Sequence, residues 1–179
     1  MAFTPYPIVT KSGQQVRVRF LTPDDGDLLV NLVQRLSRET RYQRFHVSMD
    51  DVPLEEILHR LPPFLAVDGV NRVALIALVN EPKGERAIAV ARFARRAGED
   101  EAEAAVVVRD DWHRQGIGSA MMSQLVAVAR PLGVKRFIAM AQAGNRPVHA
   151  LIKAVGLQYE SHIDRAEDYI VIHLEETPL

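Results

Sequence analysis

The stretch of residues 102–132 restricts the fold more than any other part of the chain. It begins with a run of three valines at 106–108, which is typical of a strand covered on both faces. A polar turn with Gly116 and Gly118 follows, and from there apolar residues recur with the 3.6-residue period of a helix. A glycine-rich turn that leads into a helix presents unpaired backbone N–H groups and the positive end of the helix dipole. The stretch therefore predicts a buried strand, a turn that attracts phosphate, and a helix.

The composition favours a single domain of 179 residues, with residues 1–13 as a loosely held arm. The net charge of −1 argues against a nucleic acid or a membrane surface as partner. Because the chain has no cysteine and its six histidines show no metal-ligand spacing, we expect no metal. The N-terminus does not resemble a signal peptide and no apolar run has membrane length, so we expect a cytoplasmic protein. No feature of the sequence predicts the oligomeric state.

The other elements alternate in an order that predicts a mixed sheet with helices on its faces. Residues 22–36 predict a helix capped by Thr22, and a second helix is expected to begin at Pro53 and end at Pro62. Residues 37–51 between them are basic and aromatic without a helical period, which favours a connector whose aromatic side chains dock on the core. A binding surface is the alternative interpretation. Three strands precede the glycine turn, and a later helix is expected to open at Asn145 and to end at Gly156.

The glycine turn alone is compatible with several phosphate-binding motifs and with a tight turn of purely structural purpose. A Walker loop needs Gly-Lys-Ser or Gly-Lys-Thr, whereas Ser119 and Ala120 follow Gly118 here. The dinucleotide-binding fingerprint needs a third glycine where Met121 stands, and it needs a βαβ unit. The segments before the turn predict antiparallel strands instead. Both nucleotide-binding motifs are therefore excluded.

Together, the strand, the turn and the helix that opens at Asn145 resemble the GNAT superfamily of N-acetyltransferases. The superfamily signature, Gln/Arg-x-x-Gly-x-Gly/Ala, is matched by residues 113–118, although His113 replaces the usual Gln or Arg. We expect a histidine N–H to substitute in part for the lost donor. The resemblance covers about residues 16–174. It implies an α/β (α+β) GNAT fold, with a mixed, mostly antiparallel sheet of about six or seven strands flanked by about four helices.

The resemblance also implies acetyl-CoA as cofactor, with its pantetheine lying like an added strand between the central strand and the next one. The pantetheine amides would bond to the backbone of Val106, Val107 and Val108. The pyrophosphate would be held by the backbone N–H groups of Arg114, Gln115, Gly116, Ile117, Gly118 and Ser119. Asn145 would reach the pantetheine arm.

Transfer to an amine requires a base, because a lysine amine with an ordinary pKa of about 10.4 is protonated at neutral pH. Glu103 is the better placed of two glutamates at the start of the central strand, and it shares a face with Ala105 and Val107. A solvated carboxylate at a strand edge is the alternative. Residues 102–112 and 37–45 are similar to segments of bacterial protein-lysine acetyltransferases, and this resemblance implies that Glu103 is the general base. Ile152 stands where many small-molecule GNAT enzymes carry an acidic tyrosine, so the general acid is unassigned, with Tyr159 and solvent both open.

We therefore expect an enzyme that moves an acetyl group from acetyl-CoA to an amine, most simply a protein lysine, by direct transfer. Two alternatives stay open: acetylation of a small-molecule amine, and a non-catalytic domain that binds acyl-CoA and regulates a partner. His149 and Lys153, four residues apart, favour a solvated helix face over a metal site. We expect Trp112 to pack over the turn rather than to stack on the adenine of the cofactor.

Overall fold

The fold is taken from a computed structural model, which describes residues 3–45 and 53–175. In these ranges the strands are β1 (Ile8–Val9), β2 (Gln15–Phe20), β3 (Arg72–Glu81), β4 (Gly84–Ala94), β5 (Glu101–Val108), β6 (Arg136–Gln142), β7 (Gln158–Asp164) and β8 (Glu167–His173). The helices are α1 (Gly26–Gln34), α2 (Arg38–Phe45), α3 (Leu54–Arg60), α4 (Pro62–Leu65), α5 (Ile117–Ala129) and α6 (Arg146–Val155). Short 3-10 turns lie at Asp110–Trp112 and Arg130–Leu132.

All eight strands form one sheet, in the order β1-β2-β3-β4-β5-β6-β8-β7. Every neighbouring pair is antiparallel except β5 and β6, which are parallel and connected through α5. These two strands pair over only three rungs, the last of which joins Glu103 to Ile138. Beyond that rung the strands separate, and we call the space between residues 104–108 and 139–142 the gap. The gap interrupts the middle of the sheet.

Each face of the sheet carries its own apolar core. On one face α5 and α6 cover the sheet, and the fully buried Met121 and Leu125 of α5 belong to the same cluster as Phe93 and Phe137. The two phenylalanine rings lie 5.7 Å apart. On the other face α1 to α4 cover a second cluster, in which Leu32 packs with strand residues. Since successive strand residues point to opposite faces, each position along β5 faces one of these two clusters.

The predicted loose arm is instead docked on α5, at least from residue 3 onwards. Ile8 pairs with Val16 as part of β1 and is buried. Gln124, fully buried in α5, accepts a hydrogen bond from the Tyr6 N–H at 3.1 Å and donates one to the Tyr6 carbonyl at 2.9 Å. Because a buried amide without partners would be costly, Gln124 depends on this segment. Lys11 N–H also donates to the Gln115 carbonyl, at 3.2 Å.

The helix predicted to start at Thr22 starts later, at Gly26. The reason is that Thr22 donates to Asp25 through both its N–H and its hydroxyl, so Asp25 is the acceptor of this turn. Arg19 binds the same carboxylate through two nitrogens, each at 2.7 Å. This bidentate pair lowers the pKa of Asp25, with burial acting in the opposite direction.

Residues 38–45 of the expected connector form a helix, α2, which the sequence did not predict. Phe45 packs against the second core cluster, as the interpretation expected, whereas Tyr42 is exposed. The rest of that segment lies outside the described residues. Helix α2 buries no residue fully and so has no apolar stripe that a periodicity argument could detect. Helix α3 begins after Pro53 and ends before Pro62, as predicted. Pro62 also opens a further short helix, α4, where its missing N–H is harmless. The mixed, mostly antiparallel sheet is confirmed, with eight strands and six helices in the described ranges rather than six or seven strands and four helices. None of the described helices is both long enough and apolar enough to span a membrane.

Candidate active site

The turn between β5 and α5 presents its backbone N–H groups outwards. Arg114 and Gly116 have positive φ angles of 60° and 83°, so two residues of the turn are left-handed. The Ala120 N–H bonds to the Gly116 carbonyl at 3.1 Å, which leaves the N–H groups of residues 117–119 without a partner inside the helix. Within the described residues, no side chain caps this helix. Such a turn at the positive end of a helix can bind an anion through several N–H groups at once.

The second glycine of the turn is favoured by close packing rather than by its backbone angle. A Cβ atom at Gly118 would lie 3.1 Å from Leu151 Cδ1 on α6 and 3.6 Å from Val108 Cγ2 on β5. A Cβ atom at Gly116 would meet nothing within 4 Å, so at that position the positive φ alone favours glycine. The two glycines therefore serve different purposes: one shapes the turn, and the other lets α5 pack closely on its neighbours.

The backbone groups that line the gap on β5 follow from the pairing of β5 with β4. Arg109 N–H bonds to the Ile88 carbonyl at 2.8 Å, and Val108 lies opposite Ala89. In an antiparallel ladder this register turns the N–H and C=O of Val107 towards β4, whereas those of Val106 and Val108 face the gap. The expectation that all three valines offer backbone groups to a ligand therefore needs correction, because Val107 is already paired.

The sequence suggested that an N–H of His113 replaces the lost phosphate-binding donor, but in the structure this ring has a different partner. Its Nε2–H donates to the Val108 carbonyl at 2.7 Å, which closes the turn against the end of β5. The gap-facing groups of β5 that have no such partner are the N–H and C=O of Val106 and the N–H of Val108. This leaves room on the β5 side of the gap for an extended ligand with amide groups.

A buried arginine fixes the end of β5 just before the turn. Arg109 is almost fully buried and donates to Asp111 at 2.6 and 2.8 Å and to Glu81 at 2.6 Å. Burial alone would lower the pKa of Arg109, but these two carboxylates outweigh it and raise the pKa. Glu81 also accepts from Arg35, and both arginines hold the pKa of its carboxyl below the usual range. The turn is thus anchored to β3 and α1.

The neighbouring residue, Asp110, holds the start of α2. Its carboxylate accepts from the Ser37 N–H at 2.8 Å, the Ser37 hydroxyl at 2.6 Å and the Thr40 hydroxyl at 2.6 Å. Burial opposes ionisation of Asp110, but these hydrogen bonds outweigh it and lower its pKa. Helix α2 is therefore tied to the end of β5, across the cavity described next.

Glu103 lies on the last rung that joins β5 to β6, where the gap begins. Its side chain is exposed, as the solvated alternative also expected. By alternation it points to the same face as Ala105 and Val107, and these two residues form part of the wall of a cavity of about 80 Å³. The described structure therefore brings a carboxylate, a cavity and the opening of the gap to one place.

The cavity lies between β3–β5 and helices α1 to α4, and its wall is apolar except for arginines. The residues that line it include Leu29, Leu32, Ile57, Phe64, Val90, Ala105, Val107, Arg41, Arg44, Arg60 and Arg92. The guanidinium of Arg92 lies 4.7 Å from the centre of the Phe64 ring, and that of Arg44 lies 5.6 Å from it. Burial and the charge of Arg92 lower the pKa of Arg44 to about 10, against a smaller opposing effect of Glu103. We call this space the arginine cavity.

Several other candidate residues lie away from this place. Tyr159 is on β7, separated from β6 by β8, which puts it about 10 Å beyond the gap at ordinary strand spacing. It packs at 5.4 Å against the ring of His149. The expectation of a solvated His149 is wrong, because its Nε2 lies 2.7 Å from the Oδ2 of the buried Asp168. Ile152 is fully buried, and Trp112 packs partly buried against the core. Asn145 caps α6 as predicted, its Oδ1 accepting from the Val148 N–H at 3.4 Å.

Sequence reasoning missed Arg92, Arg109 and Asp110 as residues of the site, whereas Arg41 and Arg44 lie in the segment for which a binding surface was the alternative interpretation. A weak signal existed for Arg92, since it is the one charged residue in the otherwise apolar run of residues 87–94 within β4. Asp110 binds Ser37, and Arg109 binds Glu81 besides its near neighbour Asp111, so the contacts that fix them in the site are distant in sequence. No local pattern would have revealed them.

A single parallel pair that separates beside a helix start with free N–H groups is the arrangement that the resemblance to the GNAT superfamily implied for an enzyme that uses acyl-CoA. The gap exposes unpaired backbone groups of β5, and the turn exposes N–H donors of the kind that bind phosphate. The comparisons with known proteins agree. The chain belongs to the GNAT family of acetyltransferases, because residues 15–158 match the family model described as "Acetyltransferase (GNAT) domain".

Curated relatives and a solved structure make the same assignment. The chain is 30% identical over 148 residues to "Acetyltransferase PA5475" of Pseudomonas aeruginosa, covering 80% of this chain and 75% of that one. It is also 30% identical over 154 residues to "Acetyltransferase Pat" of Mycolicibacterium smegmatis, covering 86% of this chain but 44% of the relative. The crystal structure of the GNAT domain of S. lividans PAT superposes with a TM-score of 0.79 at 27% identity, over 94% of this chain and 96% of that domain.

These findings confirm the predicted family and its likeness to Pat proteins. The protein is an acyltransferase, and its cofactor is acetyl-CoA, as the family membership implies. The residues of this chain fit that cofactor, because unpaired backbone groups of β5 line the gap and the turn at α5 carries several N–H donors.

Proposed function

We propose that this protein transfers the acetyl group of acetyl-CoA directly to the side-chain amine of a protein lysine, with Glu103 as the general base. The observation that carries the proposal is the position of Glu103 on the last rung before the gap, on the face that holds the arginine cavity. The likeness to Pat proteins supports the family subgroup but leaves the acceptor open. Bound acetyl-CoA supplies an activated thioester, whose acetyl carbon an amine can attack with the CoA thiol as leaving group.

The cofactor would be held mainly by backbone groups of this chain. The N–H and C=O of Val106 and the N–H of Val108 would pair with the pantetheine amides, which places the reactive end of the cofactor towards Glu103. The N–H groups of residues 114–119 would bind the pyrophosphate. Asn145 would reach the pantetheine arm with its amide nitrogen, because its oxygen already caps α6. Side-chain charges contribute little to this binding mode.

Glu103 would take a proton from the acceptor. A protonated lysine has no lone pair with which to attack, so it must lose one proton before the C–N bond forms. The exposed carboxylate of Glu103 can accept that proton directly or through one water and return it to solvent. The apolar wall of the arginine cavity would hold the aliphatic part of the acceptor and exclude bulk water.

The test is the pair of variants Glu103→Gln and Glu101→Gln. Glu101 is two residues earlier on the same strand and face, and it is exposed like Glu103, so the control removes the same charge further from the gap. We expect kcat to fall at least about 100-fold for E103Q, with CoA affinity unchanged, and to stay within about threefold for E101Q. A full acetylation rate of E103Q at every pH tested would show that Glu103 is not the base.

An acceptor screen separates the proposed function from its alternatives. Wild-type protein is incubated with labelled acetyl-CoA and, in parallel, with a proteome extract and a panel of small amines. Label on protein lysines supports the proposal. Efficient turnover of one small amine without protein labelling would identify a small-molecule acetyltransferase, and CoA binding without transfer to any acceptor would identify a regulatory acyl-CoA-binding domain.

A further inference from the structure

The arginine cavity contains more positive charge than the described side chains neutralise. Arg41, Arg44 and Arg92 all line it, and in the described part of the chain no carboxylate forms an ion pair with any of them. Arg60, at the same cavity, is by contrast paired with Glu56. Arginines that are removed from water are ordinarily paired, because an uncompensated charge in an apolar environment is costly.

Two further observations show that, among the described residues, these arginines lack a compensating partner rather than merely a short contact. The Nε atom of Arg41 is buried without any hydrogen-bond acceptor. Arg44 and Arg92 repel each other. The negative charge of Glu103 favours the charged form of both arginines, but it does not outweigh the effect of burial. Their guanidinium groups lie near the ring of Phe64, an arrangement that is weaker than an ion pair. In the described part of the chain, three guanidinium groups thus face one nearby carboxylate, Glu103, so that positive charge exceeds negative charge by two.

The positions of these groups relative to Glu103 fit a bifunctional acceptor. Arg92 lies opposite Ala105 on the neighbouring strand, and Glu103 is two residues before Ala105 on the same face. Diagonal neighbours of this kind are about 7 to 8 Å apart. An acceptor that places its amine at Glu103 can therefore place an anionic group at Arg92 and Arg44. The planar guanidinium fork matches a carboxylate through two parallel hydrogen bonds.

We propose that the arginine cavity binds a carboxylate carried beside the acceptor amine, so that this enzyme prefers lysines with an acidic neighbour and rejects polycationic amines. The inference rests on the proposed function and deepens it by naming the acceptor class. A polyamine or an aminoglycoside would add positive charge to a cavity that already has an excess of it. An acidic neighbour supplies the missing counter-charge.

The test compares matched ten-residue peptides with one lysine each, flanked either by Glu and Asp or by Gln and Asn. We expect kcat/KM to be at least tenfold higher for the acidic peptide, mainly through a lower KM. The variants R44Q and R92Q should reduce this preference below threefold, whereas R60Q, which alters a paired arginine of the same cavity, should retain it. Because R44Q and R92Q each remove a poorly compensated charge, their melting temperatures should equal or exceed that of the wild type.

Further arms locate the source of the carboxylate and separate this inference from the proposed function. Free lysine and spermidine are assayed beside the peptides: preference for free lysine over the acidic peptide would place the carboxylate on a small molecule and overturn the preference for acidic segments. Equal turnover of acidic and neutral peptides, or good turnover of spermidine, would overturn the inference while the acetyltransferase function stands. If no amine is acetylated, the proposed function fails, and the binding of a fluorescently labelled form of the acidic peptide then tests the inference. Binding to the wild type that is lost in R44Q supports the inference, and no binding overturns it.

Discussion

Replacing Gly116 by alanine should weaken the binding of CoA, because alanine is strained in the backbone conformation that the turn needs. Gly116 has a φ of 83°, and an L-residue in this left-handed conformation costs about 1 to 2 kcal/mol. Because the new Cβ would meet nothing within 4 Å, the cost is conformational and not steric. Without a ligand the turn can relax to avoid it, but a turn that must converge its N–H groups on a pyrophosphate cannot. The two losses, in unfolding free energy and in binding free energy, should therefore sum to about 1 to 2 kcal/mol.

The expected result for G116A is a CoA affinity reduced by about 5- to 30-fold if the whole cost falls on binding. A smaller loss of affinity should be accompanied by a lower melting temperature, by about 2 to 4 °C for each kcal/mol that remains in the unligated protein. Titration calorimetry with CoA and thermal unfolding of the same preparations measure the two parts separately.

The matched control is Gly133→Ala. Gly133 follows the 3-10 turn after α5, has a φ of 82°, and its Cβ would likewise meet nothing within 4 Å. It lies about 20 Å from the turn, the length of the 13-residue helix α5. G133A should lose comparable stability and bind CoA as the wild type does. Equal CoA affinities of G116A and G133A would refute the assignment of the turn to the pyrophosphate.

Three further predictions concern the supports of the site. Asp110→Ala should lower the unfolding free energy by about 1.5 kcal/mol, because it frees the start of α2 at Ser37. It should also raise the KM for the acceptor and leave the CoA affinity unchanged. Equilibrium denaturation and steady-state kinetics measure these effects, and an unchanged acceptor KM would contradict the prediction. Because the pKa of Asp25 is lowered on folding, its stabilising effect is present above the unfolded pKa of 3.8 and is lost as the pH falls through the folded pKa. Asp25→Asn should therefore be less stable than the wild type at pH 7. In denaturant titrations it should also lose less stability than the wild type as the pH falls below 4. Gln124→Ala should lower the melting temperature more than Ser119→Ala does, because it leaves the Tyr6 backbone groups without their partner; equal melting temperatures of the two variants would contradict this.

The parts of the fold that the sequence predicted are those determined by local chemistry. The valine run, the glycine turn and the capped helix at Asn145 each depend on residues within a few positions of one another, and all three are present. Helix α2 was not predicted because its start is held by Asp110, which lies about 70 positions further along the chain. The prediction of a loosely held arm at residues 1–13 was wrong for the same reason, since the arm binds Gln124 on α5, far away in the sequence.

The candidate site was predictable in outline but not in its register. Alternation correctly placed Glu103 on one face with Ala105, yet the direction of the backbone groups of Val107 depends on how β5 pairs with β4. The arginine cavity was invisible because its guanidinium groups come from separate elements, with Arg44 on α2 and Arg92 on β4. Three-dimensional packing, and not any run of residues, brings these charges together.

The separation of β5 and β6 leaves unpaired backbone groups at the centre of the sheet instead of at its rim. In the proposed binding mode the cofactor completes this interrupted ladder, so it acts as a structural member of the fold as well as a reactant. A ligand that binds only the folded state stabilises it by about 2.7 kcal/mol at a concentration 100 times its Kd. The free energy of unfolding of this enzyme should therefore rise with the local concentration of acetyl-CoA, so that its resistance to unfolding and proteolysis depends on the same metabolite that it consumes.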